Sequence, residues 1–176
     1  MTRFRGPAIG LLLAIALLIA ACDSDEGDPT STATSTNDVA PSGALGDPIA
    51  RTANLSIYNA FVPAPPTDIA ALYFTMVDLD GEGDRLMGLT TSAAGAAHFH
   101  ATVTEGDTSR MLPVEGGIVL PPRGRTRLEP GGLHVMLLNL TDTLEAGDTI
   151  EVTLDFERAG ELTFEVPVQT YAEAGQ

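Results

Sequence analysis

Hydrophobic and polar residues alternate most regularly near the carboxyl end of the chain. Every second residue between Thr149 and Phe156 is large and apolar, and the residues between them are polar. Successive side chains of a β-strand point to opposite faces, so this pattern predicts a strand with one buried face. The stretch from Glu161 to Val168 repeats the alternation after an Arg-Ala-Gly turn signal. The two stretches therefore predict a β-hairpin.

Similar short apolar runs recur about every ten residues along most of the chain, separated by turns rich in Gly, Pro and Asp. No stretch of this part shows the 3.6-residue period of a helix. Many short strands with such turns favour an all-β fold, an antiparallel sandwich or barrel. The predicted strands are Leu55–Val62, Ala70–Asp78, Arg85–Thr91, Ala96–Val103, Arg110–Pro113, Gly117–Leu120, Arg125–Leu128, Leu133–Leu140, Thr149–Phe156 and Glu161–Val168.

The amino terminus carries a different signal. Arg3 and Arg5 precede an apolar run of 14 residues, from Ala8 to Ala21, against the roughly 20 that span a membrane. This order is typical of a secretory signal peptide. Small residues stand directly before Cys22, which resembles the bacterial lipobox, where cleavage leaves a lipid-bearing cysteine. We expect residues 1–21 to be a lipoprotein signal peptide and Cys22 to be lipidated. The alternative is an ordinary signal peptide that leaves the thiol free.

Three further segments follow from composition. Residues 22–50 are mainly Ser, Thr, Asp, Gly and Pro, and we expect the lipidated cysteine to be followed by a flexible acidic tether. Residues 51–169 form the predicted β domain, and 170–176 a short tail. Several acyl chains on one residue anchor a protein stably. The chain is therefore expected on the outer face of the cytoplasmic membrane, in the periplasm or at the cell surface.

Charge narrows the class of partner. The chain has nine basic residues, all arginine, against 24 acidic ones, and a formal net charge of −15. This balance excludes nucleic acid as a partner and disfavours adhesion to anionic lipid through basic side chains. Arg123, Arg125 and Arg127 alternate along one predicted strand. They predict either a solvated strand face or a docking patch for an acidic partner.

Histidine and methionine supply candidate metal ligands. His98 and His100 are two residues apart, as are His134 and Met136, and residues two apart in a strand share a face. Thioether sulfur is soft and uncharged and suits Cu(I), whereas Zn(II) prefers Cys, His and carboxylate and Ca(II) prefers oxygen. Two strands that each present histidine to one side therefore predict a copper site, with Met111 as a further candidate.

Ordinary structural roles compete with metal binding for these residue types. A methionine in a β domain is often core filler, and a lone histidine is often a surface residue. Met76 and Met87 lie within hydrophobic runs, and we predict that both belong to the core.

The spacing of these residues resembles the periplasmic copper chaperones called PCu(A)C. Their signature is His, ten residues, Met, about 21 or 22 residues, and then His-x-Met. Here ten residues separate His100 from Met111, and 22 separate Met111 from the His134-Val135-Met136 triplet. Three segments around the motif also resemble the family: Ala70–Thr75, Met111–Gly117 and Pro130–Leu137.

The resemblance implies a cupredoxin-like or immunoglobulin-like Greek-key β fold that holds one Cu(I) per chain. The implied ligands are His100, Met111, His134 and Met136. It also implies a copper-receiving partner, such as a cytochrome c oxidase subunit or another copper chaperone. His98 is extra: an alternative ligand, a route to Cu(II) binding, or merely exposed. The His- and Met-rich tail of some relatives is absent from residues 169–176, so we expect a single site.

Other function classes are weighed by what they require. An electron-transfer cupredoxin needs a Cys thiolate with two His, and the only cysteine is Cys22, the predicted lipid site. The sequence contains neither a phosphate-binding glycine loop nor a nucleophile elbow, two motifs that would indicate an enzyme. A metal-free adhesion or scaffold sandwich on a lipid anchor stays open, because fold does not fix function. We expect a monomer.

Overall fold

The computed structural model describes residues 45–173, and every regular element in that range is a β-strand. All ten predicted strands are present, with ends shifted by at most two residues, so the all-β prediction is confirmed. The strands are β1 (Ala50–Arg51), β2 (Leu55–Pro63), β3 (Ile69–Asp78), β4 (Asp84–Thr91), β5 (Ala94–Glu105), β6 (Thr108–Pro113), β7 (Ile118–Leu120), β8 (Arg125–Leu128), β9 (Leu133–Leu140), β10 (Thr149–Phe156) and β11 (Gly160–Gln169).

The strands hydrogen-bond along one continuous path, in the order β6-β5-β9-β3-β2-β11-β10-β4-β7, with β1 added to β2 and β8 added to β3. Every pairing is antiparallel except that of β11 with β2, where Val168 pairs with Val62 and Gln169 with Pro63. This short parallel pair joins two antiparallel halves. One half contains β1, β2, β3, β5, β6, β8 and β9, and the other contains β4, β7, β10 and β11.

The core lies between these two halves, as the alternation of apolar residues predicts. Every second residue of β10 is buried, and the same holds for β11 from Phe164 to Val168 and for most of β3. The largest fully buried side chains come from both halves and form one cluster. They include Ile57, Leu72, Phe74, Met76, Val135 and Leu137 from one half, and Leu86, Leu120, Val152 and Leu154 from the other.

The two methionines predicted to be core residues differ. Met76 is fully buried, as predicted, but Met87 is 47% exposed, so the prediction for Met87 is wrong. The cause is an irregularity in the pairing of β4 with β10. Phe156 pairs with Leu86 while the adjacent Asp155 pairs with Gly88, so Met87 has no residue opposite it and turns outward.

The amino-terminal segments predicted from the sequence fall mostly outside this description. The signal peptide at 1–21, Cys22 and most of the tether lie outside residues 45–173, as do residues 174–176. The described residues belong to one unit, Ala40–Gln176. Between residues 45 and 173 there is no helix with the length and apolar character needed to cross a membrane.

Candidate metal site

The candidate ligands lie on three neighbouring strands. Strand β5 is paired with β9 on one side and with β6 on the other. Directly opposite residues project from the same face of a sheet. His100 lies opposite His134, and His98 lies opposite Met136. The register therefore puts both histidines of β5 on the same face as the histidine and methionine of β9.

Met111 joins this face from β6. It lies opposite Thr102, and Thr102 is two residues beyond His100 on β5. Met111 is thus a diagonal cross-strand neighbour of His100, within the reach of a long side chain. Its side chain is 62% exposed, so this edge of the candidate site is open to solvent.

His134 is the most constrained of the candidates. It is only 3% exposed, and its Nδ1 lies 3.1 Å from the carbonyl oxygen of Gly132. A carbonyl oxygen only accepts hydrogen bonds, so Nδ1 donates its proton. Nε2 then carries the lone pair. Such a bond fixes the tautomer and orientation of a metal-binding histidine.

His100 is half-buried and points toward the same place. Its Nδ1 contacts Sδ of Met136 at 2.5 Å, and its ring lies edge-on to that of His134, with centroids 6.0 Å apart. Burial lowers the pKa of His100, and the nearby His134 and His98 lower it further. The ring is therefore kept in the neutral form, in which an imidazole binds metal.

The donor set selects the kind of metal. Among residues 45–173, no three His, Cys, Asp or Glu side chains form a group that could hold an ion. The candidate ligands on this face also include the thioether sulfurs of Met111 and Met136. Two imidazoles and two thioethers carry no charge, and such soft, neutral donors suit Cu(I) better than Zn(II) or Ca(II).

His98 and Cys22 have different outcomes. The structure brings His98 to the same face as the other candidates, but its side chain is exposed, and among the described residues it makes no hydrogen bond or ion pair. Its role as a ligand stays a prediction. Cys22 lies outside the described residues, so its lipidation also stays a prediction.

Two aromatic residues beside the site were missed from the sequence. The ring of Tyr73 on β3 lies 6.3 Å from that of His134, and the ring of Phe61 lies 5.2 Å from that of Tyr73. Burial, and to a lesser extent Tyr171, raises the pKa of Tyr73, so its phenol stays neutral. The alternation along β3 indicates that Tyr73 lies on the face opposite to the core residues Leu72 and Phe74. Only the register of β3 with β9 shows that this face of the sheet continues to His134.

A groove with a volume of about 530 Å³ lies beside Phe61 rather than over the histidines. Phe61, Thr75 and Arg127 contribute to its walls, and so do Asp47 and Glu173, which lie near the two ends of the described range. It is therefore separate from the candidate metal ligands.

The chain is similar to known proteins over the same region. The sequence profile of the family described as LpqE-like lipoproteins matches residues 55–168. A protein of Leifsonia xyli subsp. xyli that is named as a lipoprotein, Lxx21020, is 30% identical over 122 residues, which are 69% of this chain and 74% of that protein.

Solved structures share the fold. The copper-bound PCuAC domain from PmoF2 is 29% identical with a TM-score of 0.58, over 69% of this chain and 97% of that domain. The Cu(I) form of DR1885 from Deinococcus radiodurans is 26% identical with a TM-score of 0.55, over 77% of this chain and 87% of that protein. The predicted resemblance to PCu(A)C domains and the cupredoxin-like fold are thereby confirmed.

Proposed function

This chain belongs to the LpqE-like family, and we propose that it is a membrane-anchored carrier that binds one Cu(I) ion and passes it to a copper-receiving protein. The observation that carries the proposal is the register of β5 with β9, which sets His100 opposite His134 on one face. The proposed ligands are His100, Met111, His134 and Met136.

The chemistry of these ligands suits a carrier. Thioether sulfur needs no deprotonation, and it binds Cu(I) without adding charge. In an oxidising compartment a thiolate is open to oxidation, whereas the described domain contains no cysteine. A buried imidazole, held by its bond to Gly132, provides a fixed ligand. The exposed Met111 provides one that a partner can reach and displace.

Different observations support the proposed cargo, recipient and cellular location of the carrier. The copper-bound PCuAC structures support copper as the cargo. The likeness to the PCu(A)C family supports a recipient such as a cytochrome c oxidase copper centre or another copper chaperone. The lipobox-like sequence before Cys22 and the lipoprotein naming of the family support export and a lipid anchor. The same likeness supports a binding protein rather than an enzyme.

Cu(I) titration of the purified full-length chain tests the ligand set. Against a competing Cu(I) chelator, the natural chain should bind one equivalent, and Met111→Leu with Met136→Leu should abolish that binding. Exchange of Met for Leu conserves volume, so the fold should persist. Met87→Leu is the matched control, because Met87 is exposed and lies on β4, outside the site. Unchanged affinity in the double variant would overturn the proposed ligand set, and absence of copper from the natural chain would leave the metal-free scaffold.

Fractionation tests the anchor separately. Cys22→Ala should be recovered in the soluble fraction of the exported material, because a lone cysteine is the proposed site of acylation. Retention of Cys22→Ala in the membrane fraction would contradict lipidation at this position and leave the copper site untouched.

A further inference from the structure

The face of the sheet that bears the candidate ligands continues along β3 into a row of arginines. On β3, Ala71 pairs with Met136, and four residues further on Thr75 pairs with Arg127. Four residues of a strand span about 13 Å. Since residues an even number apart share a face, Arg127 stands on the same face as the candidate ligands, roughly that distance away.

Two more arginines extend this row. Arg125 pairs with Val77 on β3, Val77 pairs with Ser56 on β2, and Ser56 pairs with Arg51 on β1. Arg125 and Arg51 thus stand at the two ends of one row of cross-strand partners that runs over β8, β3, β2 and β1. Arg123, which the sequence placed in the same stripe, instead lies in the turn before β8. Its backbone N–H is bound to Asp78, and its side chain lies over Gly81.

The three arginines on this face, Arg51, Arg125 and Arg127, differ from the ion-paired arginines of the described residues in having no partner. Arg85, Arg110 and Arg158 each form an ion pair with a carboxylate. Within residues 45–173, the side chains of Arg51, Arg125 and Arg127 make neither an ion pair nor a hydrogen bond. In a chain of net charge −15, acidic residues are abundant, so unpaired arginines gathered on one face are available to an external anion.

We propose that Arg51, Arg125 and Arg127, called here the arginine row, dock an acidic protein that receives copper from the adjacent ligands. The inference rests on the proposed function and adds the chemistry of the partner: carboxylates placed about 13–20 Å from its copper-accepting residues. The arginine row would orient the recipient so that its own ligands meet Met111 and His100.

An acidic protein fits this surface better than an anionic membrane. A bilayer pressed against the arginine row would also cover the copper ligands, because both lie on one face, and the net negative charge of the chain opposes approach to anionic lipid. Three carboxylates border the groove next to Arg127, those of Asp47, Glu129 and Glu173. They limit the positive potential to the row itself and so favour a partner with a localised acidic cluster.

Copper transfer to two synthetic acceptor peptides tests the proposal. Both peptides carry the same Met/His copper motif, one flanked by glutamates and the other by serines. At low ionic strength the full-length, Cu(I)-loaded chain should transfer copper about tenfold faster to the glutamate peptide, as electrostatic steering allows. The advantage should shrink with added salt as the Debye length falls from roughly 30 Å at 0.01 M to about 10 Å at 0.1 M.

Variants separate the arginine row from charge in general. Arg51→Gln, Arg125→Gln and Arg127→Gln together should remove the preference for the glutamate peptide without changing Cu(I) affinity. A control with the same charge change carries Thr143→Glu, Ala146→Glu and Thr149→Glu. These three residues are exposed and follow the carboxyl end of β9, whereas His134 lies near its amino end. The control should therefore keep most of the preference for the glutamate peptide. Glu129→Gln should increase the preference about twofold.

The outcomes distinguish this inference from the proposed function. Equal transfer to both peptides by a chain that binds Cu(I) would overturn the arginine row as a docking patch, while leaving the copper site in place. Loss of preference in the control variant would also overturn it, because the effect would then follow net charge. Arginine-dependent binding to phosphatidylglycerol vesicles, without preference between the peptides, would reassign the row to the membrane. A natural chain that binds no Cu(I) would instead remove the proposed function.

Discussion

One nitrogen of the His134 imidazole is already hydrogen-bonded in the metal-free protein. Its Nδ1 donates to the Gly132 carbonyl at 3.1 Å, so in the neutral ring the lone pair is on Nε2. We therefore expect two-bond ¹H–¹⁵N spectra of the copper-free protein at neutral pH to show His134 as the Nδ1–H tautomer. On adding Cu(I), the Nε2 resonance should move more than the Nδ1 resonance. An Nε2–H tautomer in the copper-free protein would contradict this orientation of the ring.

Ser56 carries the one buried side-chain oxygen or nitrogen that lacks a hydrogen-bond partner among the described residues. A buried hydroxyl without a partner costs about 1–3 kcal/mol of desolvation. Ser56→Ala should therefore keep or raise the free energy of unfolding, by up to about 1 kcal/mol, as measured by urea denaturation. Thr126→Val serves as the contrast, since the Thr126 hydroxyl donates to the Val119 carbonyl at 2.7 Å. That variant should lose roughly 1 kcal/mol, and destabilisation of the same size by Ser56→Ala would contradict the assignment.

At the residue scale, the sequence predicts which side chains share a strand face but not which strands are neighbours. The pairs His98/His100 and His134/Met136 follow from two-residue spacing alone. That His100 lies opposite His134, and that Tyr73 completes the wall beside it, depends on long-range register. The exposure of Met87 depends on an irregular pairing with β10 that leaves no mark in the local sequence.

Strands β10 and β11 form the most regular hairpin and also carry an electrostatic cost. On their outer face Glu151 lies directly opposite Glu165, and Asp155 lies opposite Glu161. Like charges directly opposite each other destabilise a sheet, whereas opposite charges stabilise it by roughly 0.2–1 kcal/mol. Between them a hydroxyl pair, Thr153 and Thr163, is hydrogen-bonded at 2.8 Å.

Glu165→Lys should convert one of these repulsive pairs into an attractive one. We expect the free energy of unfolding to rise by roughly 0.5–1 kcal/mol at low salt, measured by chemical denaturation. Any such substitution also lowers the net negative charge of the whole chain, so Glu115→Lys is the matched control. Glu115 is exposed and lies outside the strands. Equal gains in the two variants would show that the cross-strand pair contributes nothing of its own.

At the element scale, alternation is the most direct signal of a strand's bounds, and a strand too short to alternate is missed. The bounds of β10 match the prediction because buried residues alternate with solvated ones throughout. Strand β1 was not predicted, since its two residues, Ala50 and Arg51, are too few to show a pattern. It exists because Ala50 pairs with Ile57 on β2, a contact that only the folded chain supplies.

At the scale of the whole molecule, the strand pairing that joins the two halves could not be predicted from the sequence. The sequence indicates antiparallel hairpins, because consecutive strands with short turns pair in that way. The parallel pairing of β11 with β2 joins residues about a hundred positions apart, and nothing local to either strand indicates it. At the opposite end of β2, side chains rather than backbone connect the halves.

That second connection makes the stability of the fold depend on pH. Asp80, after β3, accepts hydrogen bonds from Asn54 at 2.6 Å, from the backbone of Glu82 at 3.0 Å and from Arg158 of the other half at 3.1 Å. The bond from the Glu82 backbone, and then those from Arg158 and Asn54, hold the pKa of Asp80 far below its usual 3.8. A carboxyl whose pKa is lower in the folded state than in the unfolded state stabilises the fold at a pH above its unfolded pKa, and that contribution is lost as the pH falls.

Between pH 5 and pH 2 the Tm of the natural chain should therefore fall more steeply than that of Asp80→Asn, which keeps an acceptor oxygen but does not titrate. The Tm of Asp80→Asn should be the lower of the two at pH 7, and the gap should narrow in acid. Parallel Tm curves across this range, followed by circular dichroism, would show that Asp80 does not link the halves through its charge.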